Sequence, residues 1–137
     1  MPTKGEILRY SALVTVSGQG DARVAITTDS KALVLVHRDV HRSLVFKCPS
    51  GCEDVLTINL DSRAGVAWRM RITQGGVTLM PSIWRTEGCR AHFVLWNSTV
   101  WWCRFEDEDP WPNDMEEELR EEWKRIRAQL RRPKRRR

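Results

Sequence analysis

The sequence has no apolar segment long enough to cross a membrane. Its longer runs, such as ALVLV at 32–36, fall far short of the roughly 18 residues that a spanning helix needs. The first ten residues, MPTKGEILRY, lack the apolar stretch of a signal peptide. Internal repeats are also absent. We therefore expect a cytoplasmic protein without membrane association, and the length of 137 residues predicts one domain with at most one appended element.

Cysteine is scarce, and three of the four cysteines occur at metal-ligand spacing. Cys48 and Cys52 form C-x3-C, and Cys89 and His92 form C-x2-H, so the two pairs supply three thiols and one imidazole. Cytoplasmic thiols stay reduced, which favours a metal over a disulfide. The alternative, two disulfides in a secreted protein, leaves the position of His92 unexplained. The fourth thiol, Cys103, is expected in the core.

These four residues predict one structural zinc ion in a closed Cys3His site. Proline after Cys48 restricts the backbone, and Gly51 permits the sharp turn before Cys52. The alternative is an open, hydrolytic zinc site, for which Glu53, Asp54 or Glu87 could serve as base. His37 and His41 could hold a second metal, but solvated side chains are the expected reading.

The net charge of +5 hides three regions of different sign. Residues 1–105 hold thirteen basic and eight acidic side chains. Residues 106–123 hold one basic and ten acidic side chains, and residues 124–137 hold nine basic and no acidic side chains. The main domain is thus only mildly basic. Nucleic-acid binding is not expected, except through the basic tail 131–137.

The first 105 residues have the pattern of a mainly β domain. Short apolar or alternating segments are separated by turn-forming residues, which predicts a small antiparallel sandwich or a partly open barrel. Because neighbouring residues of a strand face opposite ways, Trp101 and Trp102 cannot both be buried on one side. The predicted strands are 7–16, 23–27, 31–36, 43–47, 55–60, 68–72, 77–82, 92–96 and 100–105.

The remaining residues divide into three parts. An acidic, proline-containing linker is predicted over 106–114, an amphipathic helix over 115–132 and a basic tail over 133–137. The apolar stripe of this helix must be buried somewhere. We expect it to cover part of the sheet surface, with Trp123 packing there.

Three segments carry a family resemblance. These segments are FKCPSGCED, VTLMPSIW and GCRAHFVLWNSTVWW. Over roughly residues 43–102, the chain resembles a bacterial zinc-binding family, domain of unknown function 6527. The resemblance implies a protein encoded beside bacterial ubiquitin-like proteins and their activating and conjugating enzymes. It also implies such proteins as partners, and a peptidase role for some members.

Two residues bear on whether this chain is an enzyme. Family members often have a serine just before the zinc-side histidine, where this chain has Ala91, and this difference argues against activity. Ser82 keeps its family position and is the candidate nucleophile. His37 or His41 would be its base, oriented by an aspartate such as Asp39 or Asp54. We therefore expect an accessory protein with a structural zinc, or alternatively a peptidase or esterase that processes or removes the ubiquitin-like tag.

Overall fold

The computed structural model describes residues 7–103 together with Glu117, Glu121, Lys124 and Arg125. These last four residues are helical and exposed. The other residues predicted to form the linker, the C-terminal helix with Trp123 and the basic tail lie outside the described part.

The described chain forms two four-stranded sheets. The first has the order β1-β2-β3-β4 and contains Leu13–Val16, Leu33–Arg38, Val40–Lys47 and Val55–Asn59. The second has the order β5-β6-β7-β8 and contains Arg69–Thr73, Gly76–Trp84, His92–Trp96 and Thr99–Trp102. A ten-residue helix, α1, spans Gln19–Thr28, and a short 3-10 helix spans Ser62–Ala64.

The two sheets enclose the main hydrophobic core. Leu44 and Phe46 of β3 meet Leu79 of β6 and Phe93 of β7 in one cluster, and all four are fully buried. The Phe46 and Phe93 rings meet edge to face, with centroids 6.5 Å apart. This arrangement confirms the predicted mainly β fold, as a sandwich and not a closed barrel.

The segment 23–27, predicted as a strand, is helical, so that prediction is wrong. β1 and β2 are neighbouring parallel strands, and a parallel pair needs a crossover connection. Helix α1 supplies it, and its apolar residues Ala22 and Ile26 lie four apart on one helical face. They pack on the outer face of the first sheet, in a second cluster with Val34, Val36 and Val45. The sheet is therefore antiparallel except for this one pair.

The predicted strand 7–16 is also shorter than expected. Only Leu13–Val16 forms β1, while Arg9 makes a single bridge to Thr99 of the second sheet. The other seven predicted strands correspond to β2–β8. In β8, Trp102 packs against the core and Trp101 is 37% exposed, as the alternation predicts. No helix within the described residues is both long and apolar enough for a membrane span.

Candidate active site and metal centre

The three cysteines predicted as ligands come together at one end of the sandwich. The sulfur atoms of Cys48, Cys52 and Cys89 all lie within 4.8 Å of one another, and those of Cys48 and Cys89 are 3.6 Å apart. Tetrahedral coordination with Zn–S bonds of about 2.3 Å places two sulfurs about 3.8 Å apart. The donor set and its spacing therefore fit a thiophilic metal ion.

Two tight turns bring these sulfurs together. Cys48 follows β3 directly, and its backbone N–H donates to the Asp54 carbonyl at 2.8 Å, which closes the first turn. Gly51 there has φ 87°, and Gly88, just before Cys89, has φ 65°. Both values lie in the left-handed region that glycine adopts without steric cost. Gly51 thus has the role that the sequence predicts, and Gly88 has the same role in the second turn, which contributes the third thiol.

The chemistry of the thiols differs within the cluster. Burial raises the pKa of Cys48, and the Ser50 hydroxyl partly offsets this effect. Burial also acts to raise the pKa of Cys89, but hydrogen bonds, chiefly from the Ser50 hydroxyl and the Ala91 backbone, outweigh it and lower that pKa to about 7. Cys89 therefore forms the thiolate that binds a metal more readily than Cys48 does.

Arg85 is a member of this centre that the sequence analysis missed. Its Nη1 donates to the sulfurs of Cys52 and Cys89 at 3.3 and 3.2 Å, and its Nη2 donates to Asp54 Oδ2 at 2.9 Å. The Asp54 hydrogen bond is the main cause that raises the pKa of the guanidinium. A permanent positive charge therefore lies beside the thiols, where it balances the negative charge of thiolate ligands.

His92, the fourth predicted ligand, is not part of this group. Cys89 lies in the loop 85–91, whereas His92 is the first residue of β7, and its Nε2 lies 3.1 Å from Ser82 Oγ. The imidazole is buried, with 7% of the residue exposed. The structure thus brings together three of the four predicted ligands, and it places the fourth beside the candidate nucleophile.

The sheet itself explains the pairing of Ser82 with His92. Trp84 pairs with His92 across β6 and β7, and Ser82, two residues before Trp84, is on the same face. Ser82 lies within an irregular part of the ladder, because four residue steps from Leu79 to Ile83 face only two on β7. A bulge of this kind redirects side chains, and bulges are frequent beside active sites.

Two tryptophans contact the pair. The Trp84 ring lies on the imidazole of His92, with centroids 5.6 Å apart and planes inclined by 31°. Trp68 Nε1 donates to the Ser82 carbonyl at 3.3 Å. These contacts restrict the histidine ring and the backbone of the serine, while Trp84 itself stays 46% exposed.

Most of the other predicted participants are held in contacts with other residues. His37 and His41 contact each other in the β2–β3 hairpin, and Asp39 lies between them in that turn. Asp54 is paired with Arg85, and Glu53 with Lys47. The two bases proposed for Ser82, and two of the three proposed for an open zinc site, are thus engaged in other contacts. Glu87 is exposed, and Cys103 is half-buried just after β8, where its N–H donates to the His92 carbonyl at 2.9 Å.

Ala91 faces away from the pair. It is 6% exposed and belongs to the core between the sheets, whereas Ser82 and His92 alternate with the core residues Ile83 and Phe93 and so lie on the outer face. A serine at position 91 would therefore point into the core. The alanine removes no side chain from the outer face.

A serine within hydrogen-bond reach of a histidine is the arrangement that serine hydrolases use to activate their nucleophile. In agreement with it, residues 21–103 match the bacterial ubiquitination-like system serine protease family (BubE), and the chain belongs to this family. No curated protein and no solved structure matches the chain. The predicted association with a bacterial ubiquitin-like system is thus confirmed, while the particular label of family 6527 stays a prediction.

Proposed function

We propose that this protein is a serine peptidase of a bacterial ubiquitin-like system, with Ser82 as nucleophile and His92 as general base. The 3.1 Å separation of Ser82 Oγ and His92 Nε2 is the observation that carries the proposal. Family membership supports the same reaction. The outward orientation of this pair, away from Ala91, weakens the argument that the alanine makes this chain an inactive accessory protein.

The reaction follows from these two side chains. His92 Nε2 takes the proton of Ser82 Oγ as that oxygen bonds to the carbonyl carbon of the substrate. The imidazolium then returns the proton to the amine nitrogen as the C–N bond breaks, leaving an acyl group on Ser82. Water hydrolyses this ester by the same proton transfers, and the free Ser82 hydroxyl is restored.

The substrate would be an extended peptide, such as the C-terminal tail of the ubiquitin-like protein. Strand β5 begins at Arg69, opposite Met80, so β6 continues past it through Ser82 to Trp84 with β7 alone as strand partner. The backbone N–H of Arg85 donates to the Ala91 carbonyl, in the β6–β7 loop, at 2.8 Å. Because backbone groups alternate in direction along a strand, those of Trp84 point away from β7, toward the open edge of β6. A peptide strand added at that edge would pair with Trp84 and pass beside Ser82, whose own carbonyl already accepts from Trp68 Nε1.

The metal of the cysteine cluster is proposed to be zinc, held by Cys48, Cys52 and Cys89. Bound zinc would supply a fixed link between the turn after β3 and the loop 85–91, without taking part in the proton transfers. That loop contains Cys89 and connects β6, the strand of Ser82, to His92 at the start of β7. Through these residues, the metal centre would hold the nucleophile and the base in register.

Cleavage of a fusion tests the proposal. The substrate is a ubiquitin-like protein from the same bacterial system, extended beyond its C-terminal glycine by a reporter peptide and analysed by intact mass. We expect cleavage after the glycine by the wild type, and none by Ser82→Ala or His92→Ala. Ser17→Ala, which changes an exposed serine in the turn between β1 and α1, is the matched control. Equal cleavage by all four proteins would contradict the proposal.

An accessory role is the second candidate, because the cysteine cluster and its Arg85 contacts would serve a binding protein equally well. It predicts that the wild type binds the ubiquitin-like protein or a conjugating enzyme and leaves the fusion intact.

A further inference from the structure

His37 and His41 form an exposed pair remote from the proposed active site. They are direct partners across the antiparallel strands β2 and β3, and their Nδ1 atoms lie 2.9 Å apart. The ring centroids are separated by 4.9 Å and the planes are inclined by 68°. Both side chains are open to solvent, so an ion can reach the two nitrogens.

The hairpin pairs the two residues, and a hydrogen bond between their Nδ1 atoms sets this spacing. Asp39 alone makes the reversal, with φ 69°, a conformation that aspartate tolerates better than most residues. The side chain of Arg42 donates through Nε to the Arg38 carbonyl at 3.0 Å, and Arg38 donates to the Ser17 carbonyl at 3.3 Å. The two histidines are thus presented by a braced turn, and little freedom remains to be lost when they bind one ion.

The spacing matches a chelate with a right-angle bite. Two imidazole nitrogens bonded at about 2.0–2.1 Å to one ion lie about 2.9 Å apart at a 90° angle, and about 3.3 Å apart in a tetrahedron. Right angles belong to the octahedral and tetragonal geometries of Ni²⁺ and Cu²⁺, and imidazole suits both ions. We propose that His37 and His41 form a binding site for Cu²⁺ or Ni²⁺, with both Nδ1 atoms as neighbouring ligands and water completing the shell.

The local charges are compatible with a cation. The guanidinium groups of Arg38 and Arg42 are directed elsewhere, the first to the Ser17 carbonyl and the second partly to Asp61, at 3.2 Å. Asp39 lies in the turn between the two histidines, and its carboxylate interacts electrostatically with Arg63. Upon binding, each imidazole carries its proton on Nε2, so that both Nδ1 lone pairs face the ion.

The site is separate from the cysteine cluster. His41 is near the start of β3, and Cys48 follows the end of that eight-residue strand, so the two lie about 20 Å apart. By the usual order of stability, Cu²⁺ binds such a site more tightly than Ni²⁺.

The test is a titration of protein whose cysteine cluster has first been filled with Zn²⁺. Calorimetry with Ni²⁺ counts the additional ions. Electron paramagnetic resonance with less than one equivalent of Cu²⁺ counts the coordinated nitrogens, and retained zinc shows that Cu²⁺ has not entered the cysteine cluster. We expect one additional ion per chain, with coupling to two nitrogens. His37→Gln and His41→Gln each lose the chelate and weaken binding by about a hundredfold or more. His92→Gln, which changes the third histidine, retains both signals.

Unchanged spectra and affinity in the His37 and His41 variants would overturn the proposal, as would the absence of any additional ion in the wild type. Zinc content and circular dichroism of each variant confirm that it is folded. Because these readouts do not depend on peptidase activity, the proposal stands or falls independently of the function assigned to Ser82.

Discussion

Replacing Arg85 by methionine tests the role of a residue that joins the metal centre to the strand of the nucleophile. Methionine keeps an unbranched chain and removes the guanidinium, so three contacts are lost: those to the sulfurs of Cys52 and Cys89, and that to Asp54. The thiolates lose their neighbouring positive charge, and the Asp54 carboxylate loses its partner.

The expected effect is on metal affinity. Loss of an outer partner of metal ligands typically weakens binding by about 10–100-fold, or about 1.4–2.8 kcal/mol. The side chain of Arg85 is 18% exposed, and this limited contact with solvent favours the upper part of that range. Arg85→Lys keeps the charge but cannot contact all three partners at once, so it should lie between the wild type and Arg85→Met.

Competition with a chromophoric zinc chelator measures these affinities directly. Arg71→Met is the matched control, because Arg71 is an exposed arginine of β5. Equal zinc affinity in the Arg85 and Arg71 variants would refute the role of the guanidinium. If Arg85→Lys, like Arg85→Met, lost both zinc and its folded structure, Arg85 would instead be required for the fold.

Three further predictions concern stability, measured by denaturant unfolding. Tyr10→Phe removes the hydrogen bond from the buried hydroxyl to the Lys47 carbonyl and should cost about 1–2 kcal/mol; no loss would contradict the importance of this bond. Phe93→Ala empties the centre of the core and should cost about 3–5 kcal/mol, so a loss below about 1 kcal/mol would place the core elsewhere. Hydrogen bonds from Arg63 lower the pKa of Asp61 to about 2, so its ionised form stabilises the fold above the ordinary pKa near 3.8, and this contribution disappears as the pH falls to about 2. Wild type and Asp61→Asn should therefore converge in stability over that interval, and a constant difference would contradict the assignment.

The strands could be predicted from the sequence because alternation and turn residues act locally. The helix α1 could not, since the segment around Arg23–Thr27 is rich in β-branched and apolar residues, and only its tertiary setting decides its form. The parallel pairing of β1 with β2 requires a crossover, and Ala22 and Ile26 bury their side chains against the first sheet. Such long-range requirements are not visible in a short window.

The candidate site was only partly predictable for a related reason. Spacing alone identified Cys48, Cys52 and Cys89, because two short turns with glycine bring thiols together. The same spacing suggested His92 as a ligand, although it begins a strand and faces Ser82. One signal could have indicated this: the predicted strands containing Ser82 and His92 are consecutive, so an antiparallel hairpin would bring them side by side.

The reactivity of Ser82 tests the central claim most directly. A fluorophosphonate probe labels activated serines, and peptide mapping by mass spectrometry identifies the labelled residue without requiring the natural substrate. The account predicts one adduct, on Ser82, absent in Ser82→Ala and formed about 10²–10⁴-fold more slowly in His92→Ala. A folded, zinc-loaded protein that stays unlabelled, or that is labelled equally fast without His92, would contradict the proposed nucleophile and base.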